Sequence, residues 1–345
     1  MAWRVLVPVE TRGLFAQHQL PGVAPVFYGL RDESFCGKAL RKVGWRDARQ
    51  ALLSRLDTEE SGRAEADVLA IWLLPTGYIP RAQMVCLLER YPTVRWVYLQ
   101  MTGTDHLELE CFRRRGIMVS NAGRLNSRMV AEMAVASILA QAKRLPEHLA
   151  LQRTFRWRSL ACAPLGEQTV GVIGTGNIGF EVAGLCRAIG MRVLGASRDP
   201  GRFGDDPSPY HRVLKLDGEV ETLLAESDHV VLALPLTPET RGLLEARLLK
   251  HMKHGATLVN VARGALVQEG DLCRALARGA IGAAYVDVPS RVPTPVWSRL
   301  YWTPNLVLTH YSAANGPGKL VGGFDQFITG LSKVLQGSEP PDRVA

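Results

Sequence analysis

At 345 residues the chain is long enough for two domains and a substantial core. Hydrophobic residues make up 47% and charged residues 21%, ordinary for a soluble α/β protein, and no apolar run reaches the roughly 20 residues a bilayer span needs. The net charge of +8 comes from scattered basic residues without aromatic–basic interleaving, which argues against nucleic acid and suits an anionic cofactor or substrate.

In chain order, strand-like apolar runs alternate with helical patterns, the signature of βαβ units and a parallel sheet. The first strands are read in WRVLVPV, DVLAIWLL, VRWVYLQ and GIMVSN. Between the last two, FRRRG reads as the solvated end of a helix capped by Gly116. A long amphipathic helix is expected to begin near the plausible caps Asn126 and Ser127 and to run through RMVAEMAVASILAQAKRLPE. The less regular HLALQRTFRWRSLACAPLGEQ follows. A second series comprises TVGVIG, MRVLGAS, DHVVLALP, ATLVNVA, IGAAYVDV and NLVLTH, and LVGGFDQFITGLSKVLQG closes the chain as a helix.

The N-terminus MAWRVLVPVE lacks a basic segment followed by an apolar one, so no signal peptide and a cytoplasmic location are expected. The six cysteines (Cys36, Cys86, Cys111, Cys162, Cys186 and Cys273) form no CxxC pair, which predicts reduced and mostly buried thiols. The eight histidines show no HExxH or comparable spacing, so no metal site is expected.

The most informative segment is TVGVIGTGNIGFEVAGLCRAIGMRVLGASR. Gly174-Thr175-Gly176-Asn177-Ile178-Gly179 is a G-x-G-x-x-G run directly after an apolar strand and at the start of an amphipathic helix. Its glycines serve a tight turn, close backbone approach to a pyrophosphate, and helix-to-strand packing; the helix N-terminus offers N–H groups to the phosphates. Where a 2′-hydroxyl-binding Asp or Glu is usual at the end of the second strand, Ser197 stands, followed by Arg198 with Arg202 nearby. That pattern favours NADP, with NAD as the alternative.

Further segments add a resemblance. PLTPETRGLL from Pro235, NVARGALV from Asn260, NAGRLNSRMVAE ending at Glu132, Trp157 after the long helix, and LYWTPN from Leu300 to Asn305 occur in order and at matching spacing. In these the chain resembles the D-2-hydroxyacid dehydrogenase family over nearly its whole length. The resemblance implies two doubly wound, Rossmann-like parallel-sheet domains with a cleft between them. Residues 1–122, completed by 314–345, would form the substrate domain, and residues 123–313 the dinucleotide-binding domain. It also implies a homodimer joined through the cofactor domains, a small carboxylate-bearing substrate, and cofactor contacts at Pro235, Thr240, Val261, Ala262 and Asp287.

Members of the family interconvert 2-oxo acids and D-2-hydroxy acids with an Arg, a His and a Glu that supports the His. The Arg carries over to Arg263, whose guanidinium suits bidentate carboxylate binding. The other two do not carry over. The Glu position, five residues after Asp287, is Val292, and the His position, six after Asn305, is Tyr311; His310 stands where the family has proline. If NLVLTH continues as a strand, His310 and Tyr311 point to opposite faces, and the count turns Tyr311 toward the active site. Loss of the proline relaxes the local backbone, which leaves an inward His310 as the alternative. The family's GAGVD loop, whose amides hold the carboxylate, reads MTGTD. Met101, Thr102 and Gly103 are therefore substrate-site candidates, with Met101 either crowding the pocket or packing inward. Tyr78 and Trp302 are further pocket candidates, with core or rim packing as the alternative.

Three functional readings follow. The first is an NADP-preferring oxidoreductase of the CH–OH group that passes hydride to a 2-oxo acid, with Tyr311 as an altered acid. The second is a reductase of an imino acid, in which an iminium already carries its proton. The third is a non-catalytic dinucleotide-binding sensor or scaffold, suggested by intact glycines beside an incomplete catalytic set; Arg263 weighs against it.

Overall fold

A computed structural model of the chain describes residues 3–8, 12–18, 23–30, 56–58, 68–73, 88, 91–104, 109–203, 208–316 and 318–344. The chain divides into two compact units, Met1–Asn126 with Pro317–Ala345, and Ser127–Gly316.

The first unit holds β1 (Trp3–Pro8), β2 (Val23–Leu30), β3 (Leu56–Thr58), β4 (Val68–Leu73), β5 (Trp96–Leu99) and β6 (Met118–Asn121), in the order β3-β2-β1-β4-β5-β6. All neighbours pair in parallel except β2 and β3. Helix α1 (Arg12–Gln17) follows β1, and α2 (Leu109–Arg114) precedes β6. α2 ends as expected at Gly116, which adopts φ +65°, and Ile117 N–H donates to Phe112 O at 3.0 Å. The C-terminal helix Lys319–Leu335 packs on this sheet: Phe327 stacks on Trp96 with ring centroids 5.1 Å apart, and on Trp72 at 5.3 Å. A Cβ on Gly330 would lie 2.6 Å from the Trp96 ring, so glycine is what lets the helix sit this close. The polar tips of the buried aromatics are satisfied, Trp96 by Ser120 Oγ and Tyr98 by Gln326 Oε1.

The second unit holds β7 (Thr169–Ile173), β8 (Arg192–Ser197), β9 (Arg212–Lys215), β10 (His229–Leu232), β11 (Thr257–Asn260), β12 (Ala283–Val286) and β13 (Leu306–Leu308). They form one sheet in the order β13-β12-β11-β10-β7-β8-β9, parallel throughout. β7, β10, β11 and β12 are buried along their length, which explains their uninterrupted apolar sequence. Helices α3 (Ser127–Ala142) and α5 (Asn177–Ala188) cover one face through Val130, Ala134, Ile138, Val182 and Cys186. On the other face α6 (Leu216–Glu226), α7 (Ala246–Leu249) and α8 (Glu269–Ala277) bury Leu223, Leu248 and Leu272. The fold class is thus the expected pair of parallel-sheet α/β units. In the second, strand order reverses beside β7, which makes the carboxyl ends of β7 and β10 a topological switch point where such sheets bind ligands.

Several local expectations are corrected. The pattern read as one long helix breaks after Ala142, and α4 (Leu145–Arg153) restarts it with Arg144 in the left-handed region and a proline in its first turn. Pro146 has no N–H to continue an α-helical ladder, so it begins a helix and does not extend one. Asn126 Oδ1 and Ser127 Oγ are buried without a hydrogen bond, so neither makes the expected cap. β2, β3 and β9 add to the strands expected from the sequence: Pro25 interrupts the first, and the other two are short pieces at sheet edges. Of the thiols, Cys186 and Cys273 are buried, Cys111 is half-buried and Cys162 is exposed, and all four are free; Cys36 and Cys86 lie outside the described residues. No described helix is long and apolar enough to cross a membrane.

Candidate functional site

The site is built at the carboxyl edge of the seven-stranded sheet, beginning with the glycine run after β7. Gly174 adopts φ +102°, and a Cβ there would lie 2.5 Å from Ala233 O. A Cβ on Gly179 would lie 1.9 Å from Gly174 O, so this glycine sets how closely α5 meets β7. Gly176 differs: its φ is −71°, open to any residue, and its Cβ would meet nothing within 4 Å. No side chain caps α5, so its first-turn N–H groups and dipole face that open space. These features fit a dinucleotide pyrophosphate. Thr175 is buried against Gly195, which leaves its backbone as the part available to a cofactor, while Asn177 and Ile178 are half-buried in the first turn of α5.

This difference predicts opposite outcomes for two glycines. Gly176→Ala is expected to fold with an unchanged Tm but to weaken NADPH binding, because its methyl enters ligand space. Gly179→Ala is expected to cost about 3 kcal/mol or more, since neither backbone involved can give way. Thermal melts and cofactor titrations of both variants check this.

Ser197 closes β8, and its hydroxyl accepts from Asp199 N–H at 3.2 Å. Arg198 is exposed, and no carboxylate occupies the end of β8. The Glu239 carboxyl is held below its usual range by a hydrogen bond from Thr237, by its own amide, and in part by the positive charge of Arg198. Arg198 therefore lies within electrostatic reach of the PLTPET turn. The Arg202 side chain, Tyr78 and Asp105 lie outside the described residues.

In that turn Pro235 is exposed, while Thr240 is buried. The Thr240 hydroxyl donates to Pro235 O at 2.9 Å and accepts from Thr237 N–H at 2.8 Å. Those bonds close the turn, so Thr240 shapes it and its hydroxyl is already engaged.

Beyond β11, Asn260 organises the next three residues. Its Oδ1 accepts from Ala262 N–H at 3.1 Å and its Nδ2 donates to Arg263 O at 2.9 Å. Val261 and Ala262 are buried, and Arg263 emerges extended and half-buried, with one guanidinium N–H donating to Ala262 O at 2.8 Å. A Cβ on Gly264 would lie 2.3 Å from the Pro289–Ser290 peptide, so the Arg263 segment is pressed directly against the chain that follows β12.

Asp287, just past β12, is buried. Its Oδ1 accepts from Thr309 Oγ1 at 2.6 Å, Ser312 N–H at 2.9 Å and Ala313 N–H at 3.2 Å; Oδ2 shares the last at 3.3 Å. Its backbone O accepts from Tyr311 N–H at 2.8 Å. β13 stops at Leu308, short of the strand NLVLTH that the sequence suggested. His310 and Tyr311 adopt φ +52° and +63°, so both are left-handed and strand alternation does not decide which one faces the site. A non-glycine residue in this region costs roughly 1–2 kcal/mol. The His310 ring lies over Tyr301, with centroids 6.2 Å apart and planes inclined at 28°. Tyr311 is half exposed, as is Val292 at the position of the missing carboxylate.

In the first unit, Met101 packs against the cluster that includes Leu99, Phe112 and Val119, which favours inward packing over crowding. Its backbone is fixed by N–H donation to Leu99 O and by acceptance from Ala122 N–H. The Asn121 amide donates to Thr102 O at 2.7 Å, and Gly103 follows, half-buried. Trp302 is 79% exposed and is not a core residue. Sequence reasoning placed Arg263, Asp287 and Tyr311 in the site but missed Asn260 and Thr309, whose hydrogen bonds fix that chain. The only available signal was that Asn and Thr tend to bond nearby backbone.

The family pattern described as "D-isomer specific 2-hydroxyacid dehydrogenase, NAD binding domain" matches residues 135–313. The chain is 34% identical over 268 residues to the glyoxylate reductase of Aeropyrum pernix, covering 75% of this chain and 78% of that one. It is 34% identical over 219 residues to the human glyoxylate reductase/hydroxypyruvate reductase, covering 61% and 65% respectively. A crystal structure of a Thermus thermophilus protein, 32% identical, superposes with a TM-score of 0.74 over 99% of this chain and 100% of that one. With its nucleotide-binding switch point, its glycine run and Arg263 all at one sheet edge, the chain belongs to the D-isomer specific 2-hydroxyacid dehydrogenase family.

Proposed function

We propose that the protein is an NADPH-preferring reductase of 2-oxo acids in which Tyr311 is the proton donor, acting as a cytoplasmic homodimer. The observation that supports this most is the gathering of the glycine run, Arg263 and the Tyr311 turn at the ends of β7, β11 and β13 of one sheet. The Gly174–Gly179 run holds the pyrophosphate, and Arg198 with Ser197 receives the 2′-phosphate. Bound NADPH supplies the hydride that adds to the carbonyl carbon. The Arg263 guanidinium orients the carboxylate and polarises the carbonyl. As negative charge develops on the carbonyl oxygen, the Tyr311 hydroxyl gives it a proton and recovers one from water.

The homodimer reading rests on the arm after α3. α4 buries none of its residues; Leu145 and Leu149 are half exposed, and Phe155 and Trp157 almost fully so. A second copy would cover this apolar surface.

The test is NADPH and NADH oxidation by the purified protein with glyoxylate, hydroxypyruvate, pyruvate and larger 2-oxo acids, with and without ammonia. The names of the two relatives make glyoxylate and hydroxypyruvate the first acids to try. Turnover is expected without ammonia, with NADPH favoured over NADH by about tenfold or more, the worth of one charge-assisted hydrogen bond to phosphate. Turnover that depends on ammonia would identify an imino acid reductase. Tight NADPH binding without any turnover would identify a binding protein.

A further inference from the structure

We infer that the loop of residues 291–302 is a membrane-docking surface, whose exposed aromatic side chains and two arginines fit the headgroup layer of an anionic lipid bilayer. Neither Arg263 nor Tyr311 belongs to it, so it stands apart from the reductase reading above.

The loop follows β12. Val296 and Trp297 are 77% exposed and Trp302 79%, while Val292 and Tyr301 are half exposed. A single exposed apolar residue needs no explanation, but a group of them on one loop marks an interaction surface. Hydrogen bonds fix the backbone that presents them. Leu300 is buried and anchors the Arg299–Tyr301 turn, which packs beside α8. Ser298 Oγ accepts from Leu300 N–H at 3.3 Å, Ser298 N–H donates to Pro295 O at 2.8 Å, and Thr303 N–H donates to Arg299 O at 3.0 Å. Just before the loop, Ser290 N–H donates to Glu269 Oε1 at 2.7 Å. The aromatic rings are thus held in solvent by an ordered chain, and moving them into another phase costs little further ordering.

The charge of this surface has one sign. From Val288 to Gly316, where the second unit ends, the sequence holds no Asp or Glu. Arg291 and Arg299 are exposed, and neither pairs with a carboxylate among the described residues. The acids of the neighbouring α8 are engaged elsewhere, Glu269 with the Ser290 amide and Asp271 with Ala246 N–H and Arg274.

These features favour a lipid surface over other partners. An isologous contact with a second copy would set arginine against arginine. The loop also lies beside α8, the helix on the opposite face of the sheet from α3 and its arm. Side chains as exposed as Trp297 and Trp302 project from the surface and line no groove for a peptide. Nucleic acid, which is gripped by a row of cations along its phosphates, is poorly served by two. The headgroup layer needs no matching shape: it takes up indole and phenol rings at the boundary between apolar and wet, and its anionic groups attract the arginines beside them.

The test is co-sedimentation of the full chain with vesicles of phosphatidylcholine and phosphatidylglycerol in equal parts, and with vesicles of phosphatidylcholine alone. The wild type is expected to bind the mixed vesicles more tightly than the neutral ones, and less tightly as salt screens the charges. Trp297→Ser combined with Trp302→Ser is expected to weaken binding by about tenfold or more at any salt concentration. Arg291→Gln combined with Arg299→Gln is expected to weaken it by about 30-fold at low salt, the worth of two basic side chains at an anionic surface. Both double variants should keep the wild-type Tm, because the altered side chains are exposed. Failure of the wild type to bind the mixed vesicles, or binding that neither double variant weakens, would overturn the inference. Self-association in sedimentation velocity, or binding to polyglutamate, that the tryptophan substitutions abolish while vesicles stay unbound would assign the loop instead to a second copy or to an acidic protein.

Discussion

Arg263→Lys is expected to lower kcat/KM for the 2-oxo acid by about 10²-fold or more, the scale measured for loss of one preorganised donor to a developing oxyanion. NADPH Kd should be unchanged, because Arg263 follows β11 while the glycine run follows β7, with β10 between them. The charge survives this substitution, so the loss isolates geometry. Arg263 is extended and half-buried, its backbone fixed through Asn260 and one guanidinium N–H already engaged with Ala262 O. A guanidinium is a planar fork that can meet a carboxylate and a carbonyl oxygen at once. A lysine ammonium is a mobile point charge and cannot reproduce the fork. A fall in kcat as well as a rise in KM would mean that Arg263 acts on the transition state and does more than bind the ground state. Unchanged kcat/KM would make Arg263 a structural residue and remove the main argument against a non-catalytic protein.

Tyr311→Phe is expected to lower kcat by about 10²- to 10⁴-fold, the usual contribution of a positioned general acid. Phenylalanine keeps the ring and the left-handed backbone and removes only the hydroxyl. His310→Ala, one residue away, is expected to change kcat little, because the imidazole lies over the Tyr301 ring and is exposed. Val292 stands where the family has the carboxylate that supports its histidine, so that position offers His310 no acid. Steady-state kinetics of the two variants at one pH measure the difference. Loss in His310→Ala with retention in Tyr311→Phe would assign the proton to the histidine and overturn the assignment made here.

The fold was largely legible in the sequence because its parallel strands are buried on both faces. VGVI, VVL and TLV are short apolar runs that only a covered sheet accommodates, and the glycine run marked where that sheet turns into α5. Two other strands were less legible: VAPVFYGL, inside its sheet, carries a proline, and RVLK is four residues of half-exposed edge strand. The break between α3 and α4 was visible only as Pro146, which the helical periodicity around it masked. At the site, residue identity was legible and backbone was not. Motif spacing nominated Arg263, Asp287 and Tyr311, yet residue type carries little of the left-handed geometry of this turn: histidine is enriched at positive φ, but tyrosine at 311 gives no such signal. The count from Asn305 nominated Tyr311, while the strand alternation invoked beside it does not apply, because β13 ends at Leu308. The convergence of Thr309, Ser312 and Ala313 on one carboxylate is a tertiary arrangement, and no local pattern announces it.

The most direct test of the account is to measure 2-hydroxy acid formed per NADPH consumed, with glyoxylate, hydroxypyruvate and larger 2-oxo acids, in wild type, Tyr311→Phe and His310→Ala. The account predicts one hydroxy acid per NADPH in the wild type, little loss in His310→Ala, and near-complete loss in Tyr311→Phe with NADPH still bound. A wild type that binds NADPH tightly and forms no hydroxy acid from any of these substrates would contradict it.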